Sequence, residues 1–103
     1  MPALLPIILT ASNIVLAADR MPNFNIEPTC RSAAAAATAP DRGMDACRRD
    51  EHEARIGLEQ TWDDYSLKER ADCMRLSLLD GQPSYVEVLT FLEIAKAAKA
   101  TQK

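Results

Sequence analysis

The chain of 103 residues holds one histidine, one tryptophan, three glycines and three cysteines. Each scarcity removes a class of chemistry. With His52 alone, a zinc site would have to be completed by thiolates or carboxylates. The pair His52-Glu53 opens like a zincin motif, but Ile56 stands where the second histidine belongs. Three glycines cannot furnish a phosphate-cradling loop. There is no block of Lys and Arg to follow a nucleic-acid backbone, because acids and bases interleave to a formal charge of −3. No segment alternates at the period of a strand, and no unit repeats.

Charge is absent altogether before Asp19. Ala3 to Ala17 is an apolar run closing on Val15-Leu16-Ala17, which reads as the h-region and cleavage site of a secretory signal peptide. Its n-region carries no Lys or Arg, so the amino terminus or residues upstream of Met1 supply the positive charge. The run is shorter than the ~20 residues of a membrane-spanning helix, and Pro6, Ser12 and Asn13 interrupt it. The expected organisation is therefore a signal peptide over 1–17, an extended lead-in over 18–28 and a single helical domain over 29–100. No stable membrane span remains after cleavage, and the localisation is periplasmic or secreted. In such an oxidising compartment disulfides form and persist. They supplement the core of a domain this small.

The mature chain reads as all-α, built of three to four helices in disulfide-stapled hairpins. Thr29 is a candidate cap for a helix through Cys30 and Ala33–Ala37, with Pro40 as its terminator. Asp41 is a candidate cap for a longer helix. Its stripe is Met44, Cys47, Glu51, Ala54, Leu58, Trp62 and Tyr65. Glu51 on that stripe is placed to pair with Arg55. Ser66-Leu67-Lys68-Glu69 and Ser84-Tyr85-Val86-Glu87 are capping boxes. The first opens a helix with Leu67, Ala71, Met74 and Leu78 on one face, with Cys73 and Leu76 beside them. The second opens a helix facing inward through Tyr85, Val88, Leu89, Leu92 and Ala95.

Hairpin register sorts the cysteines. Around a turn near Ala39, Cys30 lies nine residues before and Cys47 eight after. They can therefore reach the roughly 4.4–6.8 Å Cα separation of a bridge. Cys47 and Cys73 are out of register by ten residues, about 15 Å along a helix. The expected disulfide is Cys30–Cys47, with Cys73 a free thiol. Around a turn near Gln82, Phe91 occupies the place of a partner for Cys73. Cys73 is then buried against Phe91, reactive, or bridged to a second chain, so the protein is a monomer or a Cys73-linked dimer.

Trp62 and Tyr85 belong to core stripes. The Tyr85 hydroxyl, just inside a cap, is placed near the surface, so both residues are candidate contacts for an envelope or secreted protein partner. Adjacent carboxylates such as Asp50-Glu51 and Asp63-Asp64 do not share a helix face. No catalytic set, metal site or cofactor site is assembled. The expected role is a non-enzymatic binding or structural protein of the cell envelope, the alternative being thiol chemistry through Cys73.

The residues Pro22-Asn23-Phe24, Thr29-Cys30-Arg31, Cys47, Asp50-Glu51, Trp62, Arg70, Cys73 and the run from Pro83 through Ser84-Tyr85-Val86-Glu87 to Glu93 resemble a group of small secreted four-cysteine bacterial proteins of unknown function. The resemblance implies a fourth cysteine at the position of Phe91, lost here with a second bridge. More distantly, Leu58, Trp62, Arg70 and Cys73 resemble the LprI-type lysozyme inhibitors, with Trp62 and Arg70 more widely spaced than in that family. That resemblance implies inhibition of a lysozyme.

Overall fold

The computed structural model describes residues 18–79 and 81–102, and the expected signal peptide over 1–17 lies outside them. Among the described residues there are four helices and no strand. In chain order they are α1 (Glu27–Ala35), α2 (Pro40–Thr61), α3 (Leu67–Ser77) and α4 (Tyr85–Thr101), with a single 3₁₀ turn over Trp62–Asp64 after α2. The protein is an all-α, disulfide-stapled set of helical hairpins. No described helix is long and apolar enough to cross a membrane.

Proline sets both early helix starts. α1 begins two residues before the expected Thr29 cap, with Ile26 as its N-cap and Pro28 in its first turn. α2 begins at Pro40, capped by Ala39, and Asp41 lies inside its first turn. Pro40 opens the second helix as much as it closes the first, because the first turn has no use for the N–H that proline lacks. Freed from capping, the Thr29 hydroxyl donates to the Pro83 carbonyl at 2.6 Å and ties α1 to the connection before α4.

The α1–α2 hairpin is closed by Cys30–Cys47, with Cα atoms 5.4 Å apart. α4 packs against both α2 and α3. The core lies where these meet: Ala54, Leu58, Trp62, Tyr65, Cys73, Tyr85, Val88 and Leu92. Met21, Phe24 and Ile26 of the lead-in cover it from outside, while Met74, Leu89 and Phe91 pack on it from α3 and α4. Tyr65 reaches this cluster from extended backbone after the 3₁₀ turn, not from the helical stripe expected of it.

α3 is the main departure from the sequence reading. Its buried residues are Ala71, Cys73 and Ser77, whereas Leu67, Leu76 and Leu78 are exposed. The Ser66–Glu69 capping box is present in both directions, so the helix begins where expected. Its rotation is set by the pairing with α4, through the Glu69–Lys99 ion pair at 3.0 Å and the Ser77 hydroxyl donating to the Ser84 carbonyl at 3.4 Å. α3 is followed by a turn in which Gly81 takes φ +81°, a conformation open to glycine and costly for other residues.

Candidate functional site

The helical repeat places Glu51 on the same side of α2 as Ala54 and Leu58, and it is 4% exposed. A buried carboxylate needs strong donors, and the start of α4 supplies them. Oε2 accepts the Ser84 hydroxyl at 2.6 Å, and Oε1 accepts the Tyr85 backbone N–H at 2.6 Å. Ser84 Oγ in turn accepts the Glu87 N–H at 3.2 Å, so one hydroxyl caps α4 and holds Glu51. The carboxylate also lies where the partial positive charge of the α4 N-terminus favours it. The expected Glu51–Arg55 pair does not form. Arg55 bonds Glu59 at 3.1 Å and lies 5.6 Å from the Tyr85 ring centroid.

Tyr85 passes the linkage on to the lead-in. Its hydroxyl accepts the Phe24 N–H at 2.6 Å and donates to the Pro22 carbonyl at 3.2 Å. The Phe24 and Tyr85 rings meet with centroids 4.8 Å apart, tilted by 40°. The hydroxyl is thus turned inward, and Tyr85 is 2% exposed, so it is a core residue rather than a surface contact. Trp62 is likewise 5% exposed. Its Nε1–H has no hydrogen-bond partner among the described residues, while the Arg70 guanidinium lies over its ring at 5.5 Å. Neither side chain offers a face to a partner.

Two open clefts flank the Glu51 clamp. One, of about 440 Å³, lies between the α1–α2 hairpin and the start of α4. Ala33, Gly43 and Ala46 give it a floor of small residues, and Asp50, Glu87 and Thr29 line it with oxygen. The chain packs so closely here that a Cβ on Gly43 would stand 2.9 Å from that of Ala37, in the connection, and 3.4 Å from the Ala34 Cα of α1. The other, of about 280 Å³, runs beneath Phe24 and Tyr85 and is edged by Arg48, His52 and Arg55. Its cations are largely satisfied within the chain, since Arg48 forks onto Glu27 at 2.8 and 3.1 Å. That fork holds the Glu27 carboxyl below its usual range.

The remaining candidates are dispersed. Asp50 is exposed while its neighbour Glu51 is buried, so the two do not act together. Asp63 and Asp64 are both exposed, on the 3₁₀ turn. Among the described residues no three His, Cys, Asp or Glu side chains converge as a metal site. Cys73 is 4% exposed and unbridged, within the cluster on which Phe91 packs. Burial, and then the charges of Asp72 and Glu69, push its thiol pKa up. The partner of Glu51 was the feature hardest to foresee. The available sign was a lone carboxylate on an apolar stripe, in a chain with a capping serine still to be positioned.

Comparison with protein families, with curated proteins and with solved structures returns no match.

Proposed function

We propose that this chain is a secreted or periplasmic, non-enzymatic binding protein. It takes a basic side chain of an envelope or secreted protein in the cleft between the α1–α2 hairpin and the start of α4. The observation that carries the reading is the cleft itself, with the exposed Asp50 along a hollow floored by Ala33, Gly43 and Ala46. Small floor residues leave room for an aliphatic stem, and the Asp50 carboxylate receives its charged end. One wall is stapled by Cys30–Cys47 and the other is held by Glu51, so little order remains to be imposed on binding. The apolar run before Ala18 and the disulfide support export.

The resemblance to LprI-type inhibitors makes a lysozyme the first partner to try. Added protein is expected to slow lysozyme clearing of a cell-wall suspension, with Asp50→Lys relieving the effect. Unchanged clearing at saturating protein would remove the lysozyme version. The broader reading is read by nuclear magnetic resonance on titrating a lysine-rich peptide. Shifts confined to Gly43, Ala46 and Asp50 are expected, and a spectrum that does not move would remove it. Thiol chemistry through Cys73 is not retained, because the sulfur is buried and its thiolate disfavoured.

A further inference from the structure

The end of α2 and the second half of α4 enclose a cleft of about 560 Å³, which shares no residue with the cleft beside Asp50. Its size suits a small ligand. Two observations set it apart from ordinary surface. The first is Tyr65, which lines the cleft and yet is only 7% exposed. Its ring belongs to the core, but its hydroxyl has no hydrogen-bond partner among the described residues. A tyrosine this buried ordinarily finds one. The hydroxyl is not sealed in, as Trp62 Nε1 is, so it opens on the cleft. Burial, and then the charge of Glu93, push its pKa up, and it keeps its proton at neutral pH. The second observation is a pair of opposite charges left apart. Glu93 and Lys96 both line the cleft, three residues apart on α4, where side chains are neighbours. They form no ion pair with each other or with any other described residue. Elsewhere Arg55 and Glu59, Lys68 and Asp72, and Lys99 and Glu69 all close their pairs. The rest of the lining is small or apolar, and a Cβ at Gly57 would touch only Leu89 Cδ2, at 3.5 Å.

We infer that this cleft binds a free α-amino acid with an aliphatic side chain. Such a ligand carries an ammonium and a carboxylate on one carbon, and so answers both charges that α4 leaves unpaired. Its ammonium lies between the Glu93 carboxylate and the Tyr65 hydroxyl, whose oxygen accepts one N–H. Its carboxylate takes the Lys96 ammonium. The Gln60 amide, exposed at the mouth of the cleft, has an N–H for the second oxygen. The side chain extends over Leu89 into the space left by Gly57, Ala97 and Ala100. A peptide would meet only half of the site, since each of its ends carries one of the two charges. Glu93 and Lys96 are exposed, so each contact contributes little and the dissociation constant is on the order of 1 mM. The inference does not rest on the cleft beside Asp50, and either reading can fail without the other.

Nuclear magnetic resonance titration of the disulfide-bonded protein with L-leucine tests the proposal, at slightly acidic pH, where leucinamide keeps its ammonium. Saturable shifts are expected at Gly57, Gln60, Tyr65, Leu89 and Glu93, with Ala46 and Asp50 unmoved. N-acetyl-leucine lacks the ammonium and leucinamide lacks the carboxylate. Each should bind about fivefold more weakly than leucine. Tyr65→Phe should weaken leucine binding about fivefold. It should leave the melting temperature unchanged, because the hydroxyl makes no bond within the chain. Glu93→Gln should abolish the preference for leucine over N-acetyl-leucine, and Lys96→Gln the preference over leucinamide. Both side chains are exposed, and an unchanged helical circular dichroism spectrum checks that each variant is folded. A titration with no saturable shift at the cleft overturns the proposal. So does a blocked form that binds as tightly as leucine, or a Tyr65→Phe protein that binds leucine as the native one does.

Discussion

Glu51 shows how one side chain couples three segments. Carrying a carboxylate into the core is costly, and the cost is met by two charge-assisted bonds from Ser84 and Tyr85. Glu51→Gln keeps the shape and one acceptor but sets an amide donor against a donor. It should lower the unfolding free energy by about 2 kcal/mol, and Glu51→Ala by about 3 kcal/mol, in urea titration. Tyr85→Phe should cost about 1–2 kcal/mol and expose the Phe24 amide to hydrogen exchange, since that N–H loses its acceptor. Glu69 behaves differently because it titrates at the surface end of α3. The Ser66 N–H, and then Lys99, hold its carboxyl below the ordinary value of 4.5. A depressed carboxylate stabilises the fold above its unfolded pKa, and that contribution is lost as pH falls through the folded one. The stability gap between the native protein and Glu69→Gln should therefore be widest at neutral pH and close on acidification below about 4.5.

At the scale of elements, helix starts are local and helix rotations are not. Pro28, Pro40, Ser66 and Ser84 each mark a start through their own backbone or hydroxyl chemistry. The two glycines of α2 separate local propensity from packing. Ala at Gly57 would meet only Leu89 Cδ2, at 3.5 Å, so Gly57→Ala should raise stability by about 0.5–1 kcal/mol. Ala at Gly43 gains the same helical propensity but meets Ala37 Cβ at 2.9 Å. Gly43→Ala should lower the melting temperature by forcing the end of α1 and the connection at Ala37 away from α2, whereas Gly57→Ala should raise it.

For the whole molecule, the bridge closing a separation of 17 residues is the main restraint on the unfolded chain. Replacing Cys30 and Cys47 together by Ser should cost about 3 kcal/mol, measured against the oxidised protein in urea. The third cysteine contributes through its burial. Its folded thiol pKa lies above the ordinary 9.0, so its contribution is full below that value and is lost as pH rises beyond it. Cys73→Ala should flatten the alkaline loss of stability. Iodoacetamide at mildly alkaline pH should label Cys73 only after denaturation, and rapid labelling of the native protein would contradict its burial.

By itself the sequence determined what depends on neighbours along the chain. Alanine runs, prolines and capping serines specify four helices, and the distances of Cys30 and Cys47 from a common turn specify their bridge. On α3 it pointed to Ala71, Met74 and Cys73, which do face inward, but also to Leu67, Leu76 and Leu78, which are exposed, and it placed on the surface a Tyr85 hydroxyl that lies inside. The Tyr85 hydroxyl is inside because the lead-in at Pro22 and Phe24 folds over it, and the α3 leucines have a cause of their own. Periodicity shows that a stripe exists, but several stripes compete on a short helix with scattered leucines, and only the helix packed against it selects one. The partner of Glu51 was likewise decided in three dimensions, because the N-terminus of α4 lies 33 residues away and reaches it only when α4 crosses α2. That crossing also fixes the wall of the cleft and turns the leucines of α3 outward.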